Sequence, residues 1–210
     1  MTIAEDNKPF FKYTKDHRFA PMYPLLAKEI VDKYGITEGV CLDIGAGSGA
    51  LSIELSKITS LSLIALDIEP EAIEMAEENC VIHNVPHKRI RFVFGAVEKM
   101  PLPDASVDLI LSRGSIPFWT DHVSAFEDIF RVLAPQGKAM IGCGFSRYQS
   151  LKEVEKMRPV WTPEVLKKRT RWKKGSFLAD TLREAGINEY TITDDSFGTW
   201  IELYKSPETR

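Results

Sequence analysis

Three glycines alternate with small residues in a short segment that follows an apolar strand. They are Gly45, Gly47 and Gly49, and an amphipathic run begins directly after them. Glycine has no Cβ, so such a loop turns tightly and lets its backbone contact a ligand, while the following helix points free N–H groups into the same crevice. A second apolar strand reaches Asp67, 22 residues after Gly45 (67 − 45 = 22), close to the roughly 20 expected for an acid that binds ribose hydroxyls. These residues predict a site for a nucleoside cofactor.

Two cofactors compete for this site. The glycine spacing over residues 45–50 fits the dinucleotide pattern, in which the helix start faces a pyrophosphate. The alternative is S-adenosylmethionine (SAM), which has no phosphate. Three features favour SAM: Gly49 lies two residues after Gly47 rather than three, no Lys or Arg is near the loop, and Asp43 precedes it. That acid would repel a pyrophosphate but could pair, directly or through water, with an ammonium group. The alternative interpretation is a buried acid that only braces the loop.

Longer segments carry a family resemblance. Residues 41–49 and 65–76 resemble motifs I and II of class I SAM-dependent methyltransferases. Residues 94–110 resemble the segment that follows in the small-molecule branch, which includes quinone-biosynthesis C-methyltransferases. The resemblance implies SAM as cofactor, S-adenosylhomocysteine as product, and methyl transfer to a small-molecule acceptor by in-line displacement.

The resemblance also assigns residues to the parts of the cofactor. It implies that the backbone of Gly45, Ala46 and Gly47 approaches the amino-acid end of SAM, that Asp67 binds the ribose hydroxyls, and that Ile68 packs on the adenine. In each case the residue type suits the contact, since glycine admits a close backbone approach and a carboxylate accepts two hydroxyl donors.

The third motif departs from the family pattern. Many relatives carry an acid directly after its glycine, where it receives the adenine amino group, but here Ala96 follows Gly95. Either the Val97 amide and the Ala96 carbonyl read the base, or Glu98 or a water takes the place of the acid. All three residues are therefore candidate cofactor contacts.

The fourth predicted strand ends in residues that are candidates for the acceptor site. Ligands of open α/β sheets bind outside the carboxyl ends of strands, so we expect Ser112 to contact the cofactor and Arg113, Phe118 and Trp119 to contact the acceptor. The planar fork of Arg113 suits an anionic acceptor, although a structural salt bridge is the alternative. The two aromatic residues either line the pocket or belong to the core.

An aromatic-rich run at residues 10–23 precedes the first predicted helix. Relatives fold such segments over the cofactor as a lid. Tyr13, Tyr23 and His17 are therefore candidates for water exclusion or proton transfer. With Arg113, the last two are the candidate catalytic residues. Tyr23 is also a candidate contact for the acceptor, and no general base is assigned.

Two further functions remain open. Residues 167–174 form a basic cluster that contains Trp172. Its charges could follow a nucleic-acid backbone while Trp172 stacks on a base, so the cluster suits an RNA methyltransferase or, with another acceptor, a protein methyltransferase. The alternative for the cluster is a solvated helix face. The third possibility is a non-enzymatic, SAM-binding partner subunit.

Composition limits the remaining partners. The chain has 210 residues with 27 Lys and Arg against 30 Asp and Glu, a net charge of −3, so no global attraction to polyanions is expected. No apolar run approaches the roughly 20 residues of a membrane helix, and the three cysteines lack metal-ligand spacing. For the small-molecule methyltransferase we therefore predict a cytoplasmic monomer or homodimer with free thiols, no metal, and neither a membrane nor a nucleic-acid partner.

Apolar runs alternate with helix-period runs, which predicts an α/β fold. We place strands near residues 40–45, 62–68, 90–95, 107–112 and 138–144, followed by a hairpin over 189–204, and helices near 21–34, 49–59, 70–83, 121–134 and 176–185. A turn over 133–138 leads into the fifth strand. The resemblance supplies the order: a three-layer α/β/α Rossmann-like sandwich whose mostly parallel, seven-stranded sheet ends in an antiparallel hairpin. We predict one domain over 1–210, with a helical lid at 1–35 and a helical insertion at 149–186.

Overall fold

A computed structural model describes residues 12–207. The start of the aromatic-rich run and of the predicted lid, residues 1–11, lies outside the described residues. Seven short runs rich in β-branched and aliphatic residues form strands, as this composition favours. They are β1 Val40–Ile44, β2 Ser62–Asp67, β3 Ile90–Phe94, β4 Val107–Arg113, β5 Leu133–Gly142, β6 Tyr190–Asp195 and β7 Gly198–Tyr204.

These strands form a single sheet in the order β3-β2-β1-β4-β5-β7-β6. The pairs among β1 to β5 are parallel, and β7 runs antiparallel to both of its neighbours. The predicted fold class, a mostly parallel seven-stranded sheet that ends in an antiparallel hairpin, is confirmed. The chain order reverses beside β1, which lies between β2 and β4, and such a switch point opens a crevice at the carboxyl ends of the strands.

Helices cover both faces of the sheet. They are α1 Met22–Tyr34, α2 Ala50–Ile58, α3 Pro70–Ile82, α4 His122–Val132, α5 Leu151–Met157, α6 Pro163–Arg169 and α7 Phe177–Glu184. Because side chains alternate between the faces of a strand, Cys41 of β1 lies in the core formed with α1 and α2, whereas Leu42 lies in the core formed with α4 and α7. Two apolar cores thus separate three layers.

One local prediction needs correction. The predicted turn at 133–138 lies within β5, whose register with β4 shifts between Val107↔Leu133 and Leu109↔Lys138; the extra residues bulge there, with Gln136 at a φ of 65°. Helix α6 begins at Pro163, where the missing N–H of proline costs nothing.

Helix α1 contributes to the core. Met22 and Leu26 are fully buried, and the helix packs against α2. We infer that any covering role of the predicted lid falls, within the described part of the chain, on the segment 12–21, which we call the N-terminal segment. Among residues 12–207 no helix has the length and apolar content needed to cross a membrane.

Candidate functional site

One cavity of about 530 Å³ opens at the carboxyl ends of the parallel strands. Each of these strands contributes its following loop to the wall: residues 45–48 after β1, 68–69 after β2, 95–98 after β3, 114–120 after β4, and Cys143 after β5. The N-terminal segment and residues 158–173 complete the wall. A volume of this size suits a small ligand.

The glycine loop adopts backbone angles that are unfavourable for residues with a Cβ. Gly45, Gly47 and Gly49 have φ values of 63°, 54° and 68°, in the left-handed region. The Gly45 and Ala46 amides donate to the Leu66 carbonyl at 2.8 and 3.1 Å, which ties the loop to β2. A Cβ on Gly45 would lie 2.3 Å from the Cβ of Ser115, so the absence of a side chain lets the loops after β1 and β4 meet.

Asp67 is held at the cavity wall by the loops around it. Its Oδ2 accepts a hydrogen bond from the Gly47 amide at 2.8 Å, and its Oδ1 accepts one from the Glu69 amide at 3.0 Å. Each carboxylate oxygen keeps acceptor capacity, so the oriented group can still bind a pair of hydroxyls. Ile68 and Phe94 beside it are 56% and 62% exposed, and such bare apolar side chains suit contact with a flat base.

Asp43 lies behind the glycine loop and does not border the cavity. Its Oδ2 accepts a hydrogen bond from the Ser52 hydroxyl at 2.8 Å. Burial, together with the charge of Asp67, raises the pKa of the Asp43 carboxyl to about 6 against the opposing effect of Ser52. This position agrees with the bracing interpretation, since the carboxylate reaches the cavity only through neighbouring groups.

The third motif borders the cavity through Ala96, Val97 and Glu98. The Glu98 carboxylate accepts hydrogen bonds from the amides of Thr120 and Asp121 at 2.9 and 3.3 Å. Glu98 therefore holds the loop after β4 in place, in addition to any contact with a base.

The charges at this end of the cavity suit a cationic ligand. Asp67, Glu69 and Glu98 border it, and within the described chain no Lys or Arg lines the loops after β1, β2 and β3. SAM carries a sulfonium and an ammonium group, whereas a dinucleotide carries a pyrophosphate that these acids would repel. The residues present thus fit SAM.

Ser112, a predicted cofactor contact, lies beneath the wall rather than on it. It is buried, and its Oγ is 2.5 Å from that of Ser115, which borders the cavity. The Ser115 hydroxyl also accepts a hydrogen bond from Trp119 Nε1 at 3.0 Å. Trp119 in turn packs edge-on against Phe126, with ring centres 5.5 Å apart. Trp119 therefore both lines the cavity and belongs to the core, the two alternatives considered for it.

Arg113 borders the cavity and stacks on aromatic rings. Its guanidinium lies 4.8 Å from the ring centre of Phe19 and 5.4 Å from that of Phe145. Its Nε donates to the Gly144 carbonyl at 3.4 Å, and within residues 12–207 no carboxylate forms a salt bridge with it. The structural salt bridge that we considered is thus absent from the described part of the chain.

The candidate acid–base groups occupy different environments. Tyr23 is buried beside Arg113, and burial raises the pKa of its phenol, so the hydroxyl stays protonated and is suited to hydrogen bonding. It accepts from the Arg113 guanidinium, which has donors only. His17 borders the cavity, and its Nδ1 accepts from the Phe19 amide at 3.2 Å. That bond shapes the N-terminal segment.

Asn79 is a residue that the sequence did not single out. It is fully buried in α3, where its Oδ1 accepts from the Tyr13 amide at 2.9 Å and its Nδ2 donates to the Ser48 carbonyl at 2.9 Å. The Tyr13 hydroxyl also donates to Glu54 at 2.8 Å. Asn79 thereby joins the N-terminal segment to the glycine loop, although it is 66 residues from Tyr13 and 31 from Ser48 in the chain.

The basic cluster at 167–174 has two faces. Arg169, Trp172 and Lys173 border the cavity, whereas the other basic side chains are exposed: Lys167, Lys168, Arg171 and Lys174. Trp172 is buried, and its Nε1 donates to the Arg169 carbonyl at 2.7 Å. This ring is therefore unavailable for stacking on an external base. Phe118 also borders the cavity but remains largely exposed.

Within the described residues no group of His, Cys, Asp and Glu side chains is arranged to hold a metal ion. Cys41 and Cys80 are buried, and Cys143 is partly buried; all three are free thiols. Burial raises the pKa of the Cys143 thiol to about 11, so it is protonated near neutral pH.

Known proteins share this sequence pattern and fold. Residues 42–150 match the methyltransferase domain family. A candidate SAM-dependent methyltransferase from Methanococcus maripaludis, known from a crystal structure, is 37% identical, with a TM-score of 0.77 over 90% of this chain and 87% of that one.

Two curated relatives are more distant. An uncharacterized methyltransferase-like protein of Schizosaccharomyces pombe is 31% identical over 66% of this chain and 52% of its own length. A malonyl-[acyl-carrier protein] O-methyltransferase from a Marinomonas strain is 27% identical over 81% of this chain and 59% of its own. The chain spans about half the length of the curated relatives it matches.

Proposed function

Because this chain belongs to the methyltransferase domain family, whose cofactor is SAM, we propose that it transfers the methyl group of SAM to a small-molecule acceptor. The observation that carries this proposal is the continuity of the cavity. One space runs from the glycine loop and Asp67 to the wall formed by Arg113, Phe118 and Trp119. A cofactor and an acceptor can therefore meet there without leaving the protein.

The protein's contribution to this reaction is alignment. When bound, SAM supplies a methyl group on a good, neutral leaving group, so the chain needs to bring acceptor and methyl into line and exclude water. We propose that Asp67 holds the ribose and the amides of residues 45–47 approach the amino-acid end. Ile68 packs on the adenine, and Ala96, Val97 and Glu98 surround it. The N-terminal segment covers the opposite side.

No side chain is assigned as general base. Tyr23 and Cys143 both have raised pKa values and keep their protons near neutral pH. We therefore propose that Tyr23 and Arg113 position the acceptor, and that any proton loss depends on the acceptor's own acidity. We also keep the prediction of a monomer or homodimer.

Titration calorimetry with SAM, S-adenosylhomocysteine and NAD⁺, followed by a labelled-methyl transfer screen on small molecules, tests the proposal. We expect the first two ligands to bind, NAD⁺ not to bind, and at least one small molecule to be methylated. Absence of binding by both SAM and its product would refute it. Binding without turnover on any acceptor would instead favour the SAM-binding partner subunit.

A further inference from the structure

Three cations from separate elements converge at the acceptor end of the cavity. Arg113 ends β4, Arg169 ends α6, and Lys173 belongs to a short 3-10 helix at Arg171–Lys173. All three border the cavity and act electrostatically on the thiol of Cys143, which follows β5. Arg18 and Arg158 also line the cavity, and the acids Asp67, Glu69 and Glu98 border its cofactor end.

Aromatic rings hold both guanidinium groups by their faces. Arg169 lies 4.3 Å from the ring centre of Trp161 and 4.7 Å from that of Phe118, and Arg113 is stacked on Phe19 and Phe145. The donors of a guanidinium lie in its plane. Stacking of the faces therefore leaves the edges, with their N–H groups, as the parts that can bind a ligand.

Within residues 12–207 neither arginine forms an ion pair with a carboxylate, whereas Lys173 is paired with Asp194 at 2.9 Å. Partial burial lowers the pKa of Arg169, since desolvation disfavours its charge. A partly buried guanidinium without a carboxylate partner is unfavourable, and an anion bound to its N–H groups would relieve this cost.

We propose that the acceptor is a small organic oxyanion, a carboxylate or a phosphate on an apolar body, whose charged group is bound by the edges of Arg113 and Arg169. The apolar body would contact the aromatic wall formed by Phe19, Trp119 and Phe145. This inference rests on the proposed function, because it specifies what occupies the acceptor end of the same cavity.

Calorimetric titration of the S-adenosylhomocysteine-saturated protein with benzoate, phenyl phosphate and neutral benzamide tests this assignment. We expect the protein to bind one of the two oxyanions at least about tenfold more tightly than benzamide, since charge-assisted hydrogen bonds carry this magnitude. Whether benzoate or phenyl phosphate gains more identifies the charged group.

Arg169→Gln and Arg171→Gln form a matched pair, because both remove one positive charge from the same segment but only Arg169 borders the cavity. We expect the preference for the oxyanion to collapse in Arg169→Gln, to be partly retained in Arg169→Lys, and to persist in Arg171→Gln. Binding of S-adenosylhomocysteine should be unchanged in all three variants, which also shows that they fold.

Two outcomes overturn the inference: no oxyanion preference in the unmodified protein, or an equal loss in Arg169→Gln and Arg171→Gln, which would indicate only a general effect of net charge. If S-adenosylhomocysteine binds while the oxyanions do not, the anion site fails and the proposed function stands. If S-adenosylhomocysteine itself does not bind, the proposed function fails with it.

Discussion

At the scale of single residues, the two acids of the cofactor region lie in different surroundings. Asp67 is at the cavity wall and accepts from two backbone amides. Asp43 is buried behind the glycine loop and accepts from one hydroxyl. Because a carboxylate needs donors to stay charged away from water, their predicted roles differ: Asp67 binds a ligand, and Asp43 supports the loop.

The first prediction concerns Asp67→Asn. It removes a charged acceptor from the proposed ribose contact, and charge-assisted hydrogen bonds contribute about 1.5–3 kcal/mol each. We expect the affinity for SAM, measured by calorimetry, to fall by at least about tenfold. Glu71→Gln, an exposed acid in the first turn of α3, is the control that should leave affinity unchanged. Equal affinity in wild type and Asp67→Asn would show that the ribose is bound elsewhere.

The second prediction concerns pH and Asp43. Its pKa is raised from 3.8 to about 6 in the folded protein, so the folded state holds the proton more tightly than the unfolded state does. The contribution of Asp43 to stability is therefore greatest at a pH below 3.8, and it is lost as the pH rises from there through about 6. The difference between the two pKa values corresponds to ~3 kcal/mol in the free energy of unfolding.

Urea unfolding of wild type and Asp43→Asn across this pH interval measures the effect. The wild type should lose stability relative to the variant as pH rises. Ser52→Ala, which removes the hydrogen bond that favours the charged carboxylate, should make that decline larger. A difference between wild type and Asp43→Asn that does not change with pH would contradict the raised pKa.

At the scale of elements, the site depends on links between loops that follow different strands and helices. The Gly45 backbone contacts Ser115, and Asn79 joins Ser48 to the N-terminal segment. Neither contact is formed between neighbours in the chain. The geometry of the glycine loop is therefore set by packing from α3 and from the loop after β4, as well as by its own glycines.

The third prediction compares Gly45→Ala with Gly35→Ala. Both glycines have positive φ values, 63° and 67°, but an added Cβ meets Ser115 at 2.3 Å in the first case and nothing within 4 Å in the second. Gly35→Ala should therefore show only the backbone strain of about 1–2 kcal/mol. Gly45→Ala should show a larger loss of unfolding free energy and a weaker affinity for SAM. Equal losses in urea unfolding would argue against the collision.

The fourth prediction concerns Asn79→Ala. Losing both amide contacts should release the N-terminal segment, because each buried hydrogen bond that is left unmade costs about 1–3 kcal/mol. We expect trypsin to cleave faster after Lys15 and Arg18, and SAM to bind more weakly. Glu78→Ala, an exposed neighbour on the same helix, is the matched control. Unchanged cleavage in Asn79→Ala would mean that the segment is held by other contacts.

At the scale of the whole molecule, a net charge of −3 conceals an ordered distribution. Acids border the cofactor end of the cavity, cations border the acceptor end, and the basic cluster at 167–174 divides between the cavity and the surface. This arrangement suits a cationic cofactor and an anionic acceptor. Under the alternative hypothesis of an RNA or protein methyltransferase, only the four exposed basic side chains of the cluster would be available to bind the substrate.

The fifth prediction distinguishes the two interpretations of the basic cluster, a solvated helix face and an interface for RNA or protein. We expect the fourfold change of Lys167, Lys168, Arg171 and Lys174 to Gln to leave SAM affinity and small-molecule methylation unchanged, because these side chains point away from the cavity. A nucleic-acid methyltransferase would instead bind RNA with an affinity that falls steeply with salt and is lost in this variant. Filter binding at several salt concentrations measures this.

The sequence by itself determined the strands apart from the start of the fifth, most helix limits, the glycine loop, the acid 22 residues beyond it and the family. These features depend on periodicity and short spacings, which the chain carries locally. The tertiary structure alone decided that Ser112 lies beneath the wall, that Ser115 and Asn79 tie the loops, and that Arg169 and Lys173 face the cavity. Such contacts depend on how a short helix is rotated about its axis once distant parts of the chain have packed against it. The pattern of charges along the chain does not encode this rotation.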